Sequence, residues 1–329
     1  GPDTYFHVNS TITQNLGKGG SSLGATGINA MALGPNASAA GNHSIAQGVN
    51  ANATGNFSIA QGYNVSALGN HSIVIGENSS ALGGTSVADY SVVLGYNVTS
   101  LGNSTAIGKT VRVQSGIGIG TNVQSINGVA IGNSADASGG IAIGERARGA
   151  SNGVSLGSDS QADLYSVAIG PYANTTYISP FSGNGVYEGI AIGSGAKAHA
   201  DWRPMAIGSG ANATANDSMA IGNASQASGE ASISIGSSSN VTGNQSIAIG
   251  VGNIVTGHNS GAFGDPSIIN ANASYSVGNN NTLASGQTDV FALGNNIKNT
   301  ANNSVFLGSN SAYTAADNNL TAGVTGAVG

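Results

Sequence analysis

A repeat of fourteen residues constrains this chain more than any other feature of its sequence. From Asn36 the chain reads NASAAGNHSIAQGV, NANATGNFSIAQGY and NVSALGNHSIVIGE, and a fourth copy then begins. In these copies the second apolar stretch ends at Gly48, Gly62 and Gly76. One copy is too short to bury its apolar residues alone, so it must stack on its neighbours. A fixed period of this length therefore predicts a solenoid.

Each copy predicts two short strands joined by tight turns. The pattern Ser-Ile-Ala-Ile-Gly alternates with a period of two, which is typical of a strand. Glycine recurs too often for a helix, where each one would cost about 1 kcal/mol relative to alanine. Glycine and asparagine instead occupy positions where a turn requires positive φ. We therefore expect an all-β fold, a parallel β-roll whose turns are hydrogen-bonded about 4.8 Å apart.

The repeat continues along nearly the whole chain, but its spacing varies. The closing glycines lie twelve residues apart from Gly108 to Gly144, 19 apart from Gly76 to Gly95, and 23 apart from Gly170 to Gly193. Insertions in a solenoid form loops on one face, which is often the binding face. The glycines that we predict to hold the turns are Gly48, Gly62, Gly76, Gly144, Gly222 and Gly250.

The repeat resembles a known family. Asn70–Gly83, which reads NHSIVIGENSSALG, and Asn244–Gly250, which reads NQSIAIG, are similar to the head repeat of YadA-like trimeric autotransporter adhesins. The resemblance extends from about Leu23 to Leu307. It implies a left-handed parallel β-roll of roughly 14-residue repeats, a homotrimer of three rolls side by side, and a location on a bacterial outer surface.

The resemblance and the pattern together suggest three segments. We expect residues 1–20 to be an N-terminal cap or edge segment, because the first turn of a solenoid needs shielding. Residues 21–310 are predicted to form the roll, with an insertion at 171–189. Because a neck follows the head in the family, residues 311–329 are expected to begin it.

Composition excludes several classes of protein. The chain has 8 lysines and arginines against 14 acidic residues, so it lacks the clustered cations that nucleic-acid binding requires. It has no cysteine, and therefore neither a disulfide framework nor a thiolate metal site. No apolar run approaches the roughly 20 residues of a membrane-spanning helix. We expect membrane attachment only through an anchor domain outside this sequence, and we interpret Gly1-Pro2 as a protease-cleavage scar on an excised fragment.

Three motifs suggest ligands but are better explained otherwise. Gly108-Lys109-Thr110 resembles the end of a phosphate-binding loop, yet Asn103 stands where the first glycine is required. The many Asn-X-Ser/Thr sequons are explained by turn chemistry, because asparagine is the turn residue and serine starts the next strand. The acidic residues are scattered and do not follow the repeated calcium-binding pattern of one β-roll class. We predict no cofactor and no metal site.

Two polar pairs recur in one repeat position each. His43 and His71 share one position, with Phe57 between them, and an exposed or interface histidine is a more common explanation than a metal ligand. Gln47 and Gln61 replace the usual isoleucine or leucine. Their amides are expected to lie about 4.8 Å apart and to hydrogen-bond to one another. We prefer this interpretation, a polar rung whose amides bond to one another, over a buried ion-binding site.

The region from Pro171 to Pro204 concentrates the residues expected to bind a partner. The chain shows no carboxylate pair and no nucleophile–base set on one face, so we predict that it is not an enzyme. Tyrosine, tryptophan and arginine dominate protein-binding hot spots. The candidate ligand-binding residues are Tyr172, Tyr177, Phe181, Tyr187, Trp202 and Arg203. The same aromatic residues are equally suited to clasp a neighbouring subunit.

The function implied by the resemblance is attachment without catalysis. Similar heads bind extracellular-matrix proteins such as collagen, fibronectin and laminin, or cell-adhesion receptors of host epithelium. Two alternatives remain open: a structural spacer or autoaggregating rod in a biofilm, and an ice-binding β-solenoid. Ice binding requires a long ladder of threonines at one position, whereas Thr54, Thr99 and Thr242 are scattered.

Overall fold

Short parallel strands and the turns between them make up the structure. The computed structural model describes residues 24–82, 89–176 and 187–314, and these contain strands and no helix. They belong to two compact units, Gly1–Ser151 and Asn152–Gly329. Each unit is a parallel β-solenoid, so the predicted fold class is confirmed. No helix among the described residues is long and apolar enough to span a membrane.

Each turn of the roll contributes to two sheets, and we call A-sheet the one formed by the Ser-Ile-Ala-Ile-Gly strands. Its strands in the first unit are Met31–Leu33, Ile45–Gln47, Ile59–Tyr63, Ile73–Glu77, Val92–Tyr96, Gly128–Ile131 and Ile141–Ile143. In the second unit they are Val154–Leu156, Val167–Ile169, Ile190–Ile192, Met205–Ile207, Met219–Ile221, Ile233–Ile235, Ile247–Ile249, Gly261–Phe263, Tyr275–Val277, Val290–Leu293 and Ser304–Leu307.

The B-sheet consists of shorter strands that follow the A-sheet strands along the chain. In the first unit they are Gly24–Ala25, Ser38–Ala39, Asn52–Ala53, Ser66–Ala67, Ser80–Ala81, Thr99–Ser100, Asp136–Ser138 and Arg148–Gly149. In the second unit they are Gln161–Ala162, Lys197–Ala198, Asn212–Ala213, Gln226–Ala227, Asn240–Val241, Ile254–Val255, Ile268–Ile269 and Thr282–Leu283. Two longer strands of the first unit, Ser104–Val113 and Gly116–Ile126, run through both sheets.

The strand register reproduces the sequence period. Ile45 pairs with Ile59, and Ile59 with Ile73, always in parallel. The Ile59 N–H donates to the carbonyl of Ser72 at 2.9 Å, so each turn is bonded to the next. Where the period contracts to twelve residues, Ile107 still pairs with Ile119. Stacking identical copies satisfies the backbone polar groups of every inner strand.

The interior of the roll is filled by small residues. The middle residue of each A-sheet strand points inward, and Ala46 and Ala60 are fully buried. Because side chains alternate along a strand, the isoleucines on either side point outward. Ile143 is 39% exposed and Ile249 is 40% exposed. The outer face of the A-sheet is therefore apolar and uncovered in a single chain.

The glycines after the A-sheet strands have a conformation that other residues rarely adopt. Gly222 has φ of 129°, and a Cβ built there would lie 2.6 Å from the carbonyl oxygen of Gly236 in the next turn. A side chain at this position would therefore be strained and would collide with backbone. The other predicted turn glycines also have positive φ, between 128° and 143°: Gly48, Gly62, Gly76, Gly144 and Gly250.

Candidate functional site

Two kinds of turn border each rung of the roll. B-to-A turns lead from a B-sheet strand into the next A-sheet strand, as at 56–57, and A-to-B turns lead out of it, as at 64–65. The two kinds therefore lie at opposite ends of a rung. Side chains in both kinds of turn are exposed, as at Phe57 and Asn64.

The B-to-A turns of the second unit bring three of the predicted binding residues together. Tyr187 and Trp202 are bridged in parallel, and their rings stack with centroids 5.2 Å apart at 19°. Trp202 is 53% exposed. Arg203 follows directly, and its Nε donates to Asp217 Oδ1 at 2.7 Å across one turn of the roll. An exposed tryptophan and a partly buried tyrosine thus stack beside an oriented cation.

The acidic residues next to this pair stabilise the charged form of Arg203. Asp217 raises the pKa of Arg203 through its hydrogen bond and its charge, with a smaller contribution from Glu188. Glu188 and Arg203 both have positive φ, at 57° and 48°. The guanidinium is therefore permanently charged and held at the edge of the rung. We call Tyr187, Glu188, Trp202, Arg203 and Asp217 the aromatic edge.

Tyr172 does not belong to the aromatic edge. It lies in an A-to-B turn, where its N–H donates to the carbonyl of Ser158 at 2.9 Å and its side chain is 61% exposed. It is consequently at the other end of the rung from Tyr187 and Trp202. Tyr177 and Phe181, the remaining predicted residues, lie outside the described part of the chain.

The sequence interpretation missed Tyr165. This residue occupies the B-to-A turn one rung before Glu188, whose N–H donates to the carbonyl of Leu164 at 3.4 Å. Tyr165 is 60% exposed and has φ of 54°. The repeat position identifies it, because Glu188, Arg203 and Tyr165 all occupy the same turn position.

A second aromatic cluster occupies the B-to-A turns of the first unit. His43, Phe57, His71 and Tyr90 form a continuous stack with centroid distances of 4.9, 5.0 and 5.0 Å and interplanar angles of at most 8°. Sequence reasoning placed His43, Phe57 and His71 in one position. It missed Tyr90, because the longer spacing before Gly95 shifts that residue out of the fourteen-residue count.

The sequon asparagines have a structural role in these turns. The Asn42 N–H donates to Oδ1 of Asn56, and the Asn56 N–H donates to Oδ1 of Asn70, both at 2.9 Å. Another set, including Asn36 and Asn64, adopts positive φ at 55° and 52°. Turn chemistry therefore accounts for the recurrence of asparagine.

The predicted hydrogen bond between Gln47 and Gln61 is absent. The two residues pair in register on the outer face of the A-sheet, and both are exposed. Within residues 24–82, no hydrogen bond joins their amides. Long side chains on an uncovered face are solvated by water, which removes the need for a ladder bond.

The described residues show few features of a catalytic or metal-binding site. They contain no group of three or more histidine or acidic residues that could hold a metal ion. Burial, with a smaller contribution from Lys197, lowers the pKa of His199 below its ordinary value. This histidine follows a B-sheet strand and is half-buried, so its environment reflects packing within the roll.

The fold and its exposed edges define a repeat scaffold, a class that displays side chains along a repetitive surface. The YadA head domain repeat matches residues 25–48, 39–64, 67–97, 205–225 and 227–253. The chain therefore contains a YadA-like head domain. The family consists of non-enzymatic adhesins, and the match therefore suggests an adhesin function for this chain. No curated protein matches the chain.

Proposed function

We propose that this chain is the head of a homotrimeric bacterial surface adhesin that attaches to a host protein through the aromatic edge. Two features support the proposal: the uncovered apolar face of the A-sheet, which suits contact between subunits, and the aromatic edge, which suits contact with a partner. The partner is a host extracellular-matrix protein, such as collagen, fibronectin or laminin, or a cell-adhesion receptor. Attachment involves no catalytic step.

The trimer is supported by the difference between the two outer faces. The A-sheet exposes isoleucine, whereas most B-sheet strands expose polar side chains such as those of Ser66, Asn212 and Gln226, with Ile254 and Ile268 as the apolar exceptions. Burying a large aliphatic side chain stabilises an interface by about 1.5–3 kcal/mol. Repeated over many rungs, this contribution favours association through the A-sheet. We expect light scattering of the intact chain to give three times the 31.9 kDa mass of one chain.

The aromatic edge carries the attachment proposal. Small polar groups on the rest of the surface exchange protein–water for protein–protein hydrogen bonds with little net gain. Tyr187 and Trp202 instead offer large apolar area, and Arg203 adds an oriented donor. A trimer presents this edge three times, which increases avidity.

The test compares the two ends of the rung. Binding of the intact trimer to matrix proteins and epithelial receptors is first measured, and the Tyr187→Ala/Trp202→Ala variant is then compared with Tyr172→Ala. We expect a loss of about tenfold or more for the double variant, because exposed aromatic anchors dominate such contacts. Tyr172→Ala removes an equally exposed ring at the opposite end and is expected to change little.

A loop replacement distinguishes docking from subunit clasping. Thr176–Gly185, which includes Tyr177 and Phe181, is replaced by a short Gly-Ser turn, and both trimer melting and binding are measured. Lost binding with unchanged melting supports a docking loop, while a collapsed melt shows a clasp. If no host protein binds but cells bearing the trimer aggregate, the chain is instead a structural rod. Thermal hysteresis would reveal ice binding.

A further inference from the structure

A column of outward-pointing side chains on the A-sheet contains one polar interruption. The third residue of each A-sheet strand pairs with the third residue of the next, as Leu33 pairs with Gln47 and Gln61 with Ile75. We call these residues the third-position column. In the described part of the first unit, its other members are Leu33, Ile75, Leu94, Ile107, Ile119, Ile131 and Ile143. Gln47 and Gln61 are the two polar members.

The roll itself makes no use of these two amides. Among the described residues neither side chain has a hydrogen-bond partner, and both are exposed. Their neighbours Ile45 and Ile59 are partly buried, while Ala46 and Ala60 fill the interior as in other rungs. In later rungs isoleucine occupies the same position and the strands pair in the same way, so the strand pairing does not require glutamine. The two amides are therefore available to a group that contacts the outer face.

We propose that Gln47 and Gln61 form a two-rung amide layer that aligns the three chains of the trimer. This inference rests on the homotrimer proposed above. Only residues next to a three-fold axis face their own copies. The proposed arrangement places the third-position column beside that axis, so that the glutamines of one chain meet those of the other two. Amides both donate and accept hydrogen bonds, so such a layer can be satisfied between chains.

The apolar remainder of the column cannot set the alignment by itself. An almost uniform isoleucine column packs nearly as well after a shift of one rung, or about 4.8 Å. A shifted chain would place Gln47 or Gln61 against Leu33 or Ile75 and leave buried amides without partners, which is costly. A polar residue in an apolar seam specifies register in coiled coils for the same reason, at some cost in stability.

The test uses site-directed spin labels. Because the chain has no cysteine, a label attaches only at the cysteine that is introduced. Tyr63 is exposed at the end of an A-sheet strand, beside an A-to-B turn. A single spin label at Tyr63→Cys is introduced into the original chain and into the double variant Gln47→Ile/Gln61→Ile. After unfolding and refolding, we expect one label–label distance in the original trimer. In the double variant we expect additional distances displaced by one rung, together with a higher melting temperature.

The matched control removes two glutamines from the other sheet. Gln124 and Gln226 are exposed on B-sheet strands, so Gln124→Ile/Gln226→Ile makes the same chemical change on a face outside the column. We expect it to keep the single distance. If the double variant aggregates, Gln61→Ile alone carries the same measurement with a smaller expected fraction of shifted chains.

The outcomes separate this inference from the proposed function. A monomer by light scattering would overturn the homotrimer and the amide layer together. A trimer whose Gln47→Ile/Gln61→Ile variant keeps one narrow distance would overturn the amide layer alone. Host-protein binding is measured independently and bears only on the attachment proposal.

Discussion

The outer faces of the A-sheet and the B-sheet are built by the same repeat, yet in the first unit only the A-sheet face is largely apolar. In neighbouring rungs, Ile141 and Ile143 point outward from the A-sheet, while Asp136 and Arg148 pair on the B-sheet. Both sheets face the same alanine-rich interior. Because that interior is already filled by small residues, the outward isoleucines are only partly covered by their own roll. The difference indicates that part of the repeat's hydrophobicity is available for the association between chains proposed above.

The largest effect is expected from a charge on the apolar face. Ile143→Lys would place an ammonium in each subunit contact, where it would be desolvated without a partner. We expect the trimer to dissociate at micromolar concentration, as measured by light scattering. Gln124→Lys introduces the same charge on the B-sheet and should leave the trimer intact. Equal behaviour of the two variants would contradict the assignment of faces.

A second comparison concerns the residues that follow the strands of each sheet. Gly222 follows an A-sheet strand and Ser228 follows a B-sheet strand. Valine at Gly222 must adopt positive φ and meets a backbone oxygen at 2.6 Å, so we expect a loss of about 1–3 kcal/mol or more. Ser228→Val on the exposed surface should cost much less. Thermal melting measures both, and equal melting temperatures would show that the turn relaxes.

The two kinds of turn can be compared through their asparagines. Asn56 accepts a backbone N–H in a B-to-A turn, whereas Asn223 in an A-to-B turn donates only a longer, exposed bond of 3.3 Å to the Ser209 carbonyl. We expect Asn56→Ala to lower the free energy of unfolding by about 1 kcal/mol, because a turn donor loses its partner. Asn223→Ala should have less effect.

Asn56→Asp provides the matched control for this prediction. Asp89 already accepts the N–H of Asn70 at 2.7 Å in the equivalent position of another turn. An aspartate at position 56 therefore keeps the acceptor and should retain most of the stability in denaturant titrations. A loss equal to that of Asn56→Ala would mean that the backbone bond is not the stabilising contact.

The smallest effect is expected from pH acting on one histidine. The pKa of His199 is lower in the folded chain than its ordinary value of 6.5, chiefly through burial and also through Lys197. The unfolded chain therefore binds a proton first as pH falls below 6.5. Stability should be full above this value and decline below it, down to the lowered folded pKa. His199→Gln should flatten the pH dependence of the urea midpoint.

Much of the architecture followed from the sequence because the fold repeats what the sequence repeats. Parallel stacking places equivalent residues side by side, so the spacing of Gly48 and Gly62 predicted both the register and the positive φ at the turns. The contraction of the repeat to twelve residues could be predicted from the spacing of the glycines for the same reason. The aromatic residues near the insertion were also evident as a group.

Other features were decided only by the tertiary structure. A period of two shows that side chains alternate, but it does not show which set is inside; the turns directed Ala46 inward and left Ile45 facing outward. Proximity in sequence grouped Tyr172 with Trp202, yet one strand separates the two ends of a rung. Tyr90 joined its stack despite an irregular count, because hydrogen bonds between turns, rather than residue number, determine which residues meet.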